Sequence, residues 1–475
     1  MPRAVKIILF AVSGLVGLLV LLALALLFFV DANAYKPRLE AAASNALGME
    51  VKVGGRLGFG FFPGLLITLE DAHIRNRGLD LVSASEVRLD IDLLPLLHEE
   101  VRISEIALQQ PRITIERDRD GMFNFEKPEA AKAALPALSL AKLSLAGATL
   151  QYTDQQSGQG VEAGDCSLVV YRLRLAGGNR PDLMKNLSFT AELACGEIRK
   201  NDFTLYELKL TAVAKQGVFD LKPVTLRFFG GYGSGNIQAD FSGAAPAYHV
   251  DYALEQFRLE ELSKVVSPQN IAEGWMDFSA DLALQGETIN ELKQTAAGQV
   301  SLRGENLKLE GTDLDKKFDR YESSQNFNLT DVGAFFLGGP AGVAVTKGYN
   351  FASIFKGAGG RSDIRQLVSE WKVEHGVAQA QDVALATPKN RLVLTGGLDF
   401  INERFENMTM ALIDAKGCAL VRQNIHGTFQ KPVVEKPGIF KTLTGPALKL
   451  LQKGRELLPG GECEVFYAGT VTPPK

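Results

Sequence analysis

Beyond its first thirty residues, the chain is dominated by a two-residue repeat of apolar and polar side chains. Val87-Arg88-Leu89-Asp90-Ile91-Asp92-Leu93 alternates without a break, as a strand with one dry and one wet face requires. Arg112 to Glu116, Val224 to Phe228, Asn236 to Phe241, Asp277 to Leu282 and Arg391 to Leu394 repeat the pattern. Turn residues punctuate it at Asp120-Gly121, Gln216-Gly217, Gly298 and Gly396-Gly397. Helical periodicity is rare, so the pattern predicts a mainly β fold of antiparallel meanders in a long sheet, with a few short helices. The dry face then needs a cover: a second sheet, the sheet curling on itself, or a bound apolar ligand.

Three segments break the repeat. Ile7 to Val30 is an unbroken apolar run with Ser13 its only polar side chain, and about 20 such residues cross a hydrocarbon core of about 30 Å. Arg3 and Lys6 precede the run and Asp31 is the first charge after it, which places residues 1–6 in the cytoplasm, 7–30 in the membrane and the bulk outside. A cleaved leader ending at Ala32-Asn33-Ala34 is the competing reading, but the run is longer than a leader's apolar region. Residues 31–48 read as a linker and a short amphipathic helix from Pro37 to Leu47, stopped by Gly48. Gly333 to Phe355 is apolar and Gly-rich but broken by Pro340 and Lys347, so it reads as a helical or loop insertion. Residues 433–475 combine a final strand with a basic amphipathic segment, in which Ile439, Leu443, Leu448 and Leu451 are interspersed with Lys441, Lys449, Lys453 and Arg455. That segment suits either anionic lipid or the end of the sheet.

Composition narrows the class. With 51 Lys plus Arg against 55 Asp plus Glu the net charge is -4, which argues against a nucleic-acid partner. The four cysteines, Cys166, Cys195, Cys418 and Cys463, allow three pairings. Local pairing is expected, Cys166 with Cys195 and Cys418 with Cys463, in an oxidising compartment; four buried thiols are the alternative. The five histidines, His73, His98, His249, His375 and His426, lack metal-ligand spacing. Gly230 to Gly235 is glycine-rich, but no Gly-Lys-Ser/Thr follows, so a β-turn is expected there. No G-x-S-x-G elbow is present, and Asp118, Asp120, Asp313 and Asp315 fall in turns, where solvated acids are ordinary. The chain is therefore expected not to be an enzyme and to need no cofactor and no metal.

Several segments also carry a family resemblance. Asp31 to Tyr35, Lys36-Pro37-Arg38-Leu39, Leu47-Gly48, Gly58 to Gly64 and Leu69-Glu70-Asp71-Ala72 form a first block. Val87 to Leu97, Val101-Arg102-Ile103, Gln110-Pro111-Arg112-Ile113 and Asp118 to Phe125 form a second and more specific one, continued by Leu143 to Asp154. Further on, Gln285 to Leu292, Gly298 to Leu302, Leu309 to Asp315, Val383 to Thr387, Gly417 to Gln423 and Gly427 to Pro432 extend it. The chain resembles the bacterial AsmA-like family over most of its length, weakly between Gly158 and Asn270.

The resemblance implies an inner-membrane protein of a diderm bacterium whose periplasmic part is a curled, taco-like sheet with an apolar groove, split into an N-terminal part (49–260) and a C-terminal part (261–432). It also implies a role in outer-membrane biogenesis, with the larger relatives acting as bridges for phospholipid. Residues Val87, Leu89, Ile91, Ile113, Ile115, Val224, Leu226, Phe228, Leu392 and Leu394 are the expected groove positions, subject to strand phase at bulges. At about 4.8 Å per strand the sheet is no longer than about 150 Å. The expected partners are thus the inner membrane, phospholipid and envelope proteins. The alternative function is a non-transporting assembly or regulatory factor for outer-membrane proteins, with its sheet filled by side chains.

Overall fold

The computed structural model describes residues 32–60, 64–92, 95, 102–126, 138–176, 183–201, 203–266, 272–311, 313–316, 318, 360–435 and 465–474. The expected membrane helix at 7–30, the insertion near 333–355, the basic segment between 439 and 458, and Cys463 lie outside the described residues. No described helix is long and apolar enough to cross a membrane. The chain forms two compact units, Met1–Gly217 and Val218–Lys475, a division earlier than the one after 260 expected from sequence.

In the first unit a 3-10 turn, Ala32–Tyr35, leads into α1 (Lys36–Leu47). Pro37 sits in its first turn, where the missing N–H costs nothing, and Gly48 ends it in the left-handed conformation at φ 60°. Strands β1 (Glu50–Val53), β2 (Leu57–Gly60), β3 (Leu65–Asn76) and β4 (Leu79–Ile91) follow, then β5 (Ile103–Gln109), β6 (Arg112–Arg117), β7 (Leu138–Asp154) and β8 (Gln159–Leu175). The short helix α2 (Leu183–Asn186), β9 (Leu187–Lys200) and β10 (Phe203–Lys215) complete the unit. Edge strand β1 pairs with β3, and α1 serves its open side: Ser44 Oγ accepts from Val51 N at 2.9 Å and Glu40 Oε1 from Val53 N at 2.8 Å. A strand edge protected in this way offers no free ladder to another chain.

The sheet of this unit is mixed, which corrects the expectation of antiparallel pairing throughout. β7 runs parallel to both β5 and β6, with Leu108 opposite Leu145 and Ile113 opposite Leu150. β5 and β6 are nearly one strand, interrupted at Gln110 (φ 47°) and Pro111, and Gln110 N and Pro111 O still bond to Ala146 O and Thr149 N. A parallel partner needs a crossover of about a dozen residues or more, and the chain between Arg117 and Leu138 is long enough for one. The remaining pairs are antiparallel. Between β8 and β9 they include Cys166 directly opposite Cys195, joined by a disulfide with Cα atoms 4.0 Å apart. Cys418, in the second unit, is also disulfide-bonded.

The described strands of the second unit pair as an antiparallel meander. It runs through β11 (Val218–Phe228), β12 (Gly231–Asp240), β13 (Ala247–Arg258), β14 (Ala272–Gln285), β15 (Ala297–Glu310) and β16 (Arg361–Glu374). It continues through β17 (Val377–Ala386), β18 (Arg391–Asp399), β19 (Arg404–Ile413), β20 (Ala419–Thr428) and β21 (Lys431–Val434). Helices α3 (Leu259–Val266) and α4 (Ile289–Thr295) interrupt it, the latter opened by a reciprocal Thr288 and Glu291 capping box. Two turns expected from glycine content are strand instead. Gly298 lies within β15 at φ 142°, where an added Cβ would come 1.9 Å from Asp281 O on β14, and Gly396-Gly397 lies at a register shift in β18. Glycine here permits close backbone approach and a bulge, not a reversal of direction. Non-glycine residues with positive φ inside strands, including Asp165, Arg172, Gln256 and Asn407, mark further bulges that bend the sheets.

β16 to β19 are apolar on both faces. On one, Val368, Ala384, Val393 and Ala411 pack with Val471 of the C-terminal segment. Asp382, 7% exposed, accepts from Tyr467 Oη at 2.6 Å and from Thr470 N and Oγ1 at 2.9 and 2.6 Å. Arg391 donates to Val471 O at 2.9 Å and sits 5.6 Å from the Tyr467 ring. Burial and the neighbouring Asp382 carboxylate together push the Tyr467 phenol up.

Two measurements check these closures. Replacing Glu40 with Ala leaves the Val53 N–H without its acceptor, and hydrogen exchange across 50–57 is expected to accelerate without global unfolding. Asp382→Ala strands the Tyr467 and Thr470 donors; it is expected to cost about 2–4 kcal/mol, read as a lower denaturation midpoint and earlier proteolysis within 465–474.

Candidate functional site

The side chains that face one side of each sheet form apolar rows running across the strands. In the first unit Leu69 lies opposite Val87, Val87 opposite Leu108, Leu108 opposite Leu145, Leu145 opposite Leu168, Leu168 opposite Leu193 and Leu193 opposite Leu210. A second row runs beside it through Ile67, Leu89, Ile106, Leu143, Val170, Ala191 and Ala212. Leu57 and Phe59 of β2 extend both rows. A third joins Val51, Ile74, Val82, Ile113, Leu150, Ala163, Ile198 and Leu205. The Cys166–Cys195 disulfide lies on this face, packed with Leu145, Leu193 and Leu208.

The opposite face is wet. Asp90 is opposite Glu105 and Glu105 opposite Lys142, with Lys142 Nζ 3.7 Å from Glu105. Arg88 bonds to Glu86 at 2.5 Å. Exposed pairs of this kind contribute about 0–1 kcal/mol each; their effect is to hold that face in water.

The leucine row of the first unit is only half-buried: Leu108, Leu145, Leu168, Leu193 and Leu210 all retain solvent exposure, while Ala148, Ala163, Cys166 and Cys195 beside it are buried. Near β1 to β4 it is tighter, where Val53, Leu57, Ile67, Leu69 and Ile91 form a cluster against which Leu39 of α1 packs. Of the expected groove positions, Val87, Leu89, Ile113 and Ile115 are half-buried and Ile91 is 6% exposed. Val87, Leu89 and Ile113 belong to the rows; Ile115 stands opposite Tyr152.

In the second unit Val224, Leu226 and Phe228 stand opposite Gly235, Gly233 and Gly231. The expected β-turn at 230–235 is thus confined to Phe229 and Gly230, with φ 48° and 75°, and Gly231 to Gly235 are strand. The reason is packing. The Tyr252 ring lies over β12, so that an added Cβ at Gly233 would come 2.2 Å from its hydroxyl and one at Gly235 2.6 Å from the ring. The row of Leu226 and Gly233 continues through Leu254, Phe278 and Leu302; that of Val224 and Gly235 continues through Tyr252, Ala280 and Val300. Phe278, Tyr252 and Val300 are half-buried, whereas Leu367, Leu385, Leu392, Leu394, Met410 and Leu412 of β16 to β19 are at most 1% exposed. Leu392 and Leu394 therefore sit in a closed core.

Sequence reasoning missed Leu108, Leu145, Leu168, Leu193 and Leu210. Their signal was present in the alternation Leu143-Ser144-Leu145 and Leu208-Lys209-Leu210, but nothing local joins one strand's phase to the next. The turn carboxylates hold loops: Asp118 accepts from Asp120 N and Met122 N at 2.9 Å, Asp313 from Lys316 N at 3.0 Å, and Asp315 from Thr387 and Asn390. Among the described residues no group of three His, Cys, Asp or Glu side chains is placed to hold a metal ion.

No curated protein and no solved structure matches the chain. The family model described as the AsmA family matches residues 1–174 and 179–335. It spans the stretch between Gly158 and Asn270 where the sequence resemblance was weak, and it takes in the whole first unit except 175–178. A match over this much of the sequence, together with a mainly β fold, establishes that the chain belongs to the AsmA family.

Proposed function

We propose that the half-buried apolar rows of the first unit bind acyl lipid and guide it across successive strands, as part of cell-envelope biogenesis in a diderm bacterium. In this reading the apolar run from Ile7 to Val30 anchors the protein in the inner membrane and the two units lie in the periplasm. One observation carries the proposal. The leucine row remains apolar from β2 to β10 and yet keeps solvent exposure through its middle, at Leu108, Leu145, Leu168, Leu193 and Leu210. An acyl chain on such a row gains about 0.8 kcal/mol per methylene removed from water, while the charged face stays wet. Family membership supports an envelope role of this kind.

The closed core of β16 to β19 favours a second role for the second unit. Side chains fill that part themselves, as in an assembly or docking factor. Phospholipid is the proposed cargo of the first unit, and envelope proteins are the proposed partners of the second.

The test uses the full chain in native membranes with a photoreactive residue at single positions. Leu145, Leu168 and Leu193 are expected to crosslink lipid, and their neighbours Ser144, Val169 and Glu192, on the opposite face, are not. Equal labelling of the two sets, or none at either, would reject the lipid reading and favour the assembly-factor one.

A further inference from the structure

Among the described residues, the apolar face around β12 and β13 holds a buried polar atom without a partner. The Tyr252 hydroxyl oxygen is buried and has no hydrogen-bond partner among the described residues. Phenylalanine would fill the same space without the cost of about 1–3 kcal/mol that an unpaired buried hydroxyl carries. Further along this face Trp371 Nε1 is paired, donating to Ser369 Oγ at 2.8 Å. Burial, with a smaller contribution from Tyr232, pushes the phenol up to about 12, so it is a neutral donor at any physiological pH.

The neighbourhood restricts what this donor can meet. Tyr252 lies opposite Gly235 and Ala280, with Val224 and Val300 one strand further on, and its hydroxyl reaches over Gly233 beside Leu226. None of these carries a charge, so an anionic headgroup would find no cation to neutralise it. A neutral acceptor on an otherwise apolar molecule fits: the carbonyl oxygen of an ester-linked acyl chain.

We infer that Tyr252 is a specificity-determining residue that recognises ester-linked acyl lipid, donating its hydroxyl to the ester carbonyl once the ring lifts from the Gly233 and Gly235 floor of β12. The inference rests on the lipid-binding reading above and extends it to the second unit. It also gives Gly233 a purpose, because a side chain there would exclude the hydroxyl from its resting place.

The test compares diester and diether phosphatidylcholine, which differ by the two carbonyl groups. The full chain, purified and stripped of lipid in detergent, is incubated with an equal mixture of the two and repurified, and the retained lipid is quantified by mass spectrometry. The wild type is expected to enrich the diester about three- to tenfold, the worth of one hydrogen bond. Tyr252→Phe should lose that preference while retaining the diether as well as the wild type does and unfolding at the same or a higher denaturant concentration. Equal enrichment by wild type and Tyr252→Phe, or no enrichment by either, overturns the role of Tyr252 and leaves the lipid reading standing. Retention of neither lipid above that of a folded Leu168→Asp chain overturns both.

Discussion

Cross-strand register is the constraint on which the rest of this molecule depends. A slip of one residue would carry Leu69, Val87, Leu108 or Leu145 to the wet side and bring Glu70, Arg88 or Lys142 into the dry one. The register is held at several points along the sheet. Cys166 and Cys195, directly opposed, lock β8 to β9. Gln110 and Pro111 interrupt the β5 to β6 run yet keep both halves in phase with β7 through bonds to Ala146 and Thr149. Residues with positive φ absorb the mismatches in between, so that a bulge bends a strand without moving its apolar positions to the other face.

A sheet of this length also has ends to protect. At β1 the helix α1 supplies Ser44 and Glu40 to backbone donors that would otherwise face another chain, and it places Leu39 on the dry face. In the second unit the C-terminal segment closes the outer face of β16 to β19 with Val471, and Asp382 and Arg391 fix its backbone and Tyr467. Both devices join an apolar contact to buried hydrogen bonds, so burial provides the attraction and the polar groups select one arrangement.

The two units treat their dry faces differently, and the difference bears on function. Where Leu385, Leu392, Leu394 and Met410 meet, the space is filled to an exposure of at most 1%. Over β5 to β10 the leucine row remains half-exposed. Glycine and tyrosine on β12 and β13 form an intermediate case, a face covered by a ring whose hydroxyl has no partner among the described residues. Apolar surface left open in a folded chain is unusual unless something else covers it, and that is the physical basis for the proposal that the first unit binds lipid.

Much of the architecture was legible in the sequence because alternation is a local property. Val87 to Leu93, Asp277 to Leu282 and Arg391 to Leu394 read as strands from their own residues alone, as α1 did from its amphipathic pattern between Pro37 and Gly48, and the nearness of Cys166 to Cys195 suggested their pairing. What joins one strand to another was not legible. The parallel placement of β7 depends on where a long crossover returns, and the strand character of Gly231 to Gly235 on their pairing with β11 and β13. The closure around Leu392 and Leu394 likewise depends on their placement beside Leu385, Met410 and Leu412. A period of two specifies that each strand has a dry side; only the tertiary structure decides which dry sides meet, because phase is reset at every bulge and partners are chosen across the whole chain.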